Sequence, residues 1–212
     1  MAKPILLVVF AAAIFWSTAL FAQEQAPAPS YKEGDTWQFN ISRKGQIGTS
    51  TDLNEGMYEL SVTQGVVKLY EVDGGKKNEK PIEPDGPTQT FVRLIGQKSD
   101  QRPTLKFPLS VGQKWTYEYE TKPPGSKFNQ RRSAEVNVVG MEQVTTPAGS
   151  FKAYKLIRSE SWTVGSLRGQ KGGSTTTYFY SPETRSIVKS SNVSENNPGT
   201  VETELIKFTP GN

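Results

Sequence analysis

The chain has no cysteine and no histidine among its 212 residues, and these two absences remove whole classes of chemistry. Ser-His-Asp and Cys-His nucleophile systems cannot be assembled. Zinc and copper sites lose the imidazole and thiolate ligands they favour. No disulfide can staple the fold, so packing alone holds it. Acidic clustering is missing as well: the aspartates stand singly at Asp35, Asp52, Asp73, Asp85 and Asp100, with no Asp-x-Asp-x-Asp-Gly loop for calcium. Neither a metal site nor a cofactor site is expected. Alanine is scarce past residue 22, where only Ala26, Ala28, Ala134, Ala148 and Ala153 remain, so almost no helix is expected.

What is present begins with an export signal. Lys3 supplies a basic start, Pro4 to Phe21 carry no charge, and Ala22-Gln23 offers a small-residue cut before the chain turns polar. A membrane anchor is the rival reading of the same run, which is about long enough to span a bilayer. No basic cluster follows it, which favours a cleaved signal over residues 1–22. The sequence then divides into a flexible leader at 23–30 (QEQAPAPS, polar with two prolines) and a single β domain over 31–212. The product is expected in the periplasm or outside the cell. The formal charge of +4 becomes +3 without Lys3 and is spread thinly, so nucleic acid is not an expected partner.

Beyond the leader the apolar period is two. Trp37, Phe39 and Ile41 alternate with Gln38, Asn40 and Ser42; Tyr58, Leu60 and Val62 with Glu59, Ser61 and Thr63; Trp115, Tyr117 and Tyr119 with Thr116, Glu118 and Glu120. Each run places an apolar row on one face of a strand and a polar row on the other. Further strands are expected at 66–72, 90–95, 134–144, 151–164, 175–180, 186–193 and 201–208. Turn chemistry separates them at Asp73-Gly74-Gly75, Pro123-Pro124-Gly125, Pro147-Ala148-Gly149, Gly172-Gly173 and Pro198-Gly199. Residues 73–89 and 122–132 read as long polar loops, with Lys76-Lys77 and Arg131-Arg132 as solvated turns. About ten short strands imply an all-β fold: one antiparallel, strongly curved sheet forming a barrel, half-barrel or sandwich.

An internal echo suggests two similar β-meander halves. Gly34-Asp35-Thr36-Trp37-Gln38-Phe39 and Gly112-Gln113-Lys114-Trp115-Thr116-Tyr117 share Gly-x-x-Trp-x-aromatic. Chance similarity of two strand starts is the alternative.

The most distinctive run, Val144 to Leu156, reads as strand, tight turn and strand, with Pro147 and Gly149 at the turn. It belongs to a longer succession: Phe107-Pro108-Leu109-x-Val111-Gly112-x-x-Trp115-x-Tyr117, then Val144-x-x-Pro147-Ala148-Gly149-Ser150-Phe151-x-Ala153-Tyr154-Lys155, then Thr177-Tyr178-Phe179-Tyr180-Ser181-Pro182-Glu183 and Val188-Lys189. This succession resembles the bacterial envelope domains labelled TapB-like or domains of unknown function, over residues 107–208. Family members more often carry threonine at the place of Ser150 and tryptophan at that of Phe179. The resemblance implies an exported β-rich domain and brings no catalytic residues with it.

Three functional classes stay open. A non-enzymatic envelope protein would bind a lipid, another amphipathic small molecule or an envelope protein; Trp162, Tyr178 and Tyr180, with Arg158 on the Trp162 face, are the candidate binding residues. Core packing is the alternative role for these aromatics. An assembly component would work through a sheet edge. A carboxylate-dependent hydrolase of envelope polysaccharide would need Glu118 with Glu120, or Glu202 with Glu204, in a cleft; both pairs also read as outward polar rows, and no residue is assigned a catalytic role.

Overall fold

The computed structural model describes residues 25–45, 55–82, 89–95, 102–122, 126–165, 169–195 and 197–212. The expected signal over 1–22 lies outside the described residues. No helix among the described residues is long and apolar enough to cross a membrane.

Among the described residues there are twelve strands and one short helix. Ten strands form one sheet in the order β5(Lys76–Lys80), β4(Val66–Asp73), β3(Gly56–Thr63), β2(Thr36–Lys44), β12(Asn197–Thr209), β11(Ser186–Ser194), β10(Lys171–Ser181), β9(Gly149–Val164), β8(Gln130–Thr146), β7(Lys114–Thr121). Every neighbouring pair is antiparallel. Two meanders, β2–β5 and β7–β12, therefore meet where the last strand pairs with the first strand of the sheet. A minor two-stranded sheet joins β1(Gln25–Ala26) to β6(Leu109–Ser110). The leader expected to be flexible is thus tied down at Ala26, which is buried.

The sheet is open: β5 and β7 end the ladder, and no closed barrel forms. It is nonetheless strongly coiled. The amide of Ala148, in the β8–β9 turn, donates to the carbonyl of Leu205 on β12 at 3.3 Å, although three ladder steps would separate β9 from β12 by about 14 Å in a flat sheet. An interruption of register at Val138/Gly140 and another at Leu205/Lys207 accommodate this coiling.

The alternation read from the sequence sorts residues between the two faces. Trp37, Phe39, Ile41, Leu60, Leu69, Val136, Val138, Leu156 and Leu205 are all buried on the inner face, each worth about 1.5–3 kcal/mol of burial. The Trp37 indole N–H donates to the Thr184 carbonyl at 2.7 Å, so its polar atom is not orphaned in the core.

Three expectations need correction. Residues 90–94 form not a strand but most of α1(Gln89–Leu94), and Ile95 stands in the turn that follows. Phe91, Leu94 and Ile95 lie at i, i+3 and i+4, and all three are buried against the inner face, with Phe91 4.5 Å from the ring of Tyr58. Helical spacing prevailed over the β-branched composition because the coiled sheet offers one apolar hollow for one apolar stripe. The 73–89 loop contains β5, for Gly74 and Gly75 both take positive φ (54° and 81°), the conformation of a tight hairpin turn. Finally, Lys76-Lys77, Arg131-Arg132 and Gly172-Gly173 all stand within strands; backbone pairing, not an apolar pattern, holds these stretches.

Candidate functional site

The inner face is not uniformly apolar. Reading across the ladder, Trp115, Val136, Arg158, Thr176 and Asn192 form one row. Tyr117, Ala134, Glu160 and Ser174 form the next, and Tyr119, Arg132, Trp162 and Gly172 the one beyond. The face thus passes from the aliphatic core at Leu156 and Val138 into arginine, tyrosine and glutamate over a few residues' rise. Here the side chains are partly exposed: 11% for Arg158 and 26% for Arg132, with Tyr117, Tyr119, Trp162 and Tyr178 in the same intermediate range.

Glu160 is the hub. Its side chain is 1% exposed and accepts from three donors. Tyr119 OH and Arg158 Nη2 reach Oε2 at 2.8 and 2.7 Å, and Arg132 Nη1 reaches Oε1. Burial works against this carboxylate, yet Arg158, Arg132 and the Tyr119 phenol together hold it below the ordinary glutamate range. Burial, with Glu160 beside it, pushes the Tyr119 phenol up to about 12. Burial also opposes the charge on Arg158, but Tyr178 and Glu160 outweigh it and the guanidinium is raised above its usual value.

Two further arginines stand on described parts of the chain between β5 and β6, Arg93 in α1 and Arg102 beyond it. Arg93, on α1, is pulled below its ordinary value by burial first and by Arg158 next, with Arg102 adding to the effect. Arg102 lies over the Tyr119 ring, 4.4 Å from its centre, a cation–π arrangement. The Tyr117 and Tyr119 rings stack at 5.9 Å.

Of the residues singled out from sequence, Arg158, Tyr178 and Trp162 fall on this stretch of the inner face. Tyr180 does not: it is buried in the core at the other end of β10, with its ring 5.3 Å from that of Phe107. Sequence reasoning did not reach Arg93, Arg132 or Tyr119 as site residues. Arg158-x-Glu160 on one strand face was the available signal for an ordered ion pair; Arg93 was hidden by reading its segment as a strand. The glutamate pairs lie apart from this region. Glu118 is exposed and bonded to Arg131, while Glu202 and Glu204 pair with Lys44 and Lys189.

No protein-family model matches the chain, and no curated protein does. Among solved structures, a candidate lipoprotein from Parabacteroides distasonis is similar at 13% identity and a TM-score of 0.44, covering 88% of this chain and 100% of its own. A candidate exported protein with YmcC-like fold from Bacteroides fragilis follows at 13% identity and 0.39, over 87% and 99%. The hypothetical lipoprotein YmcC of Escherichia coli matches at 12% identity and 0.41, over 84% and 86%. Likeness at this level assigns no residue a role.

Proposed function

We propose that this chain is an exported, non-enzymatic protein of the cell envelope that holds an amphipathic ligand against the polar end of its inner face. One observation carries the reading: partly exposed Arg158, Tyr117, Tyr119, Tyr178 and Trp162 adjoin an apolar face directly, offering polar anchoring beside aromatic contact. The order of residues 1–22 supports export to the periplasm or beyond, as does the resemblance of 107–208 to TapB-like envelope domains. Purification of the chain from its native envelope, followed by mass spectrometry of the extract, tests it. A co-purifying amphiphile is the expected result, and an empty protein that binds no amphiphile on titration would end the reading.

The alternative of assembly through a sheet edge draws less support, because both edges are charged. β5 presents Lys76, Lys77, Glu79 and Lys80, and β7 presents Lys114, Glu118 and Glu120, the residue types that discourage edge pairing. For the hydrolase alternative, Glu118→Gln and Glu204→Gln are the decisive variants. Unchanged activity of both on any polysaccharide the protein degrades would dismiss it.

A further inference from the structure

We infer that Arg93 and Arg158, with the Tyr117 hydroxyl, form a binding site for an oxyanion, the carboxylate or phosphate group of the ligand. This rests on the ligand-binding reading above and specifies the chemistry it selects.

The first argument is charge. Among the described residues Glu160 is the carboxylate at this end of the face, and Arg132 and Arg158 already engage it. Arg93 makes no ion pair among the described residues, yet it stands close enough to Arg158 for the two guanidinium groups to act on each other. Guanidinium does not escape such a position by losing its proton, so two like charges share a partly dehydrated space in which the described residues give Arg93 no ion pair of its own.

The second argument is hydrogen bonding. The Nε atoms of Arg93 and Arg158 and the hydroxyl of Tyr117 are buried without a partner. Both arginines also act on the Tyr117 phenol, which places the three groups around one locus. All three can donate, and a buried donor without an acceptor is costly. A carboxylate or phosphate supplies several acceptor lone pairs and negative charge together, and planar guanidinium groups suit it geometrically. Glu160 acts as a positioning residue: by fixing Arg158 and Arg132 it leaves Arg158 oriented before any ligand arrives. The neighbouring aromatic rings suit the non-polar part of the same ligand.

The test uses octyl phosphate, octanoate, uncharged octyl glucoside and inorganic phosphate as probes, titrated into the wild-type chain and into Arg93→Gln by calorimetry. An anionic octyl compound should bind at least about tenfold more tightly than octyl glucoside, with Arg93→Gln removing that preference. Inorganic phosphate binding that is lost in Arg93→Gln, with no gain from the octyl chain, would uphold the oxyanion site and refute the amphiphile reading. Equal binding of neutral and anionic octyl compounds, unaltered in Arg93→Gln, would overturn the inference and leave the amphiphile reading standing. Binding of none of the four would overturn both. A second readout is the melting temperature of the unliganded protein. Because Arg93 makes no ion pair among the described residues, Arg93→Gln should melt at or above the wild-type temperature; a lower value would make Arg93 a residue that holds the fold and would overturn the inference.

Discussion

Gly34 and Gly112 adopt the same backbone conformation, φ +85° at each, and make the same hydrogen bonds. The Gly34 amide donates to Val62 O at 3.0 Å while Val62 N donates to Asp35 O at 2.9 Å; the Gly112 amide donates to Val138 O at 2.8 Å while Val138 N donates to Gln113 O at 2.9 Å. Even the turns before them correspond. Asp35 Oδ2 accepts from Lys32 N at 2.7 Å, and Gln113 Oε1 accepts from Ser110 N at 3.2 Å. The Gly-x-x-Trp-x-aromatic echo is therefore a repeated piece of structure, which launches β2 against β3 and β7 against β8.

Both glycines occupy a region that side-chain-bearing residues avoid, and neither has a close neighbour. A Cβ on Gly34 would sit 3.6 Å from Gly211 Cα, and one on Gly112 would meet nothing within 4 Å. The cost of alanine is then conformational alone. Gly34→Ala and Gly112→Ala should each destabilise by about 1–2 kcal/mol, and by similar amounts. Urea denaturation of the two variants measures this, and a large inequality would mean that the two turns are alike in shape but not in energetic role.

The repeats differ in what the second turn residue does. Asp35 is wholly buried and accepts from the Gly211 amide and the Arg185 guanidinium as well as from Lys32. It ties the C-terminal tail and the β10–β11 turn to the start of β2, a task that Gln113 does not have. Asp35→Asn should cost about 3 kcal/mol or more, because Arg185 is left without its charge partner. Gly211→Ala should loosen the same tail, for its Cβ would come 2.1 Å from Glu33 O and 2.7 Å from Asp35 N, both backbone atoms that cannot swing aside. Protease cleavage near residue 211 in that variant, with the wild type resistant, is the expected result.

The parts of this molecule legible in the sequence are those that depend on period two. Strands β2, β3 and β7 show their inner rows in plain alternation, and the β8–β9 hairpin shows its Pro147–Gly149 turn. Less visible were elements held by backbone pairing without an apolar row, such as β5 with its run of charged residues. The short helix was obscured because Phe91, Val92, Leu94 and Ile95 satisfy a strand composition as well as a helical spacing. For the candidate site, Arg158, Tyr178 and Trp162 could be named because they share a face on β9 or β10. Arg93 could not, since its place depends on where α1 packs against the sheet. Tyr180 shares a face of β10 with Tyr178, but it lies two residues further along, opposite Tyr154 and beneath Phe107, where it is buried in the core.

Acid should unpick the polar end of the inner face before the core fails. Glu160 carries a folded pKa below its ordinary value, near 4.5, so the carboxylate is bound more favourably in the folded state. Its stabilising effect is complete above about pH 4.5 and is lost as pH falls through the lower folded value. Glu160→Gln should lie well below the wild type in stability at pH 7, by roughly 3–5 kcal/mol because two guanidinium groups lose their partner. Repeated at pH 3, the same denaturation experiment should show a clearly smaller gap. A gap that stays constant down to pH 3 would mean that Glu160 acts through shape and not through charge.

Two neighbours on α1 should respond to mutation in opposite directions, because they face different parts of the same hollow. Phe91 is fully buried and packs on Tyr58, so removing its ring opens a cavity beside Tyr58. Phe91→Ala should therefore cost about 3–5 kcal/mol. Arg93, two residues on, makes no ion pair among the described residues, and its replacement by glutamine should leave stability unchanged or raised. Urea titrations of both variants separate these roles. A helix that merely rests on the sheet would give small losses at both positions; one that anchors through Phe91 in order to present Arg93 gives a large loss at the first and none at the second.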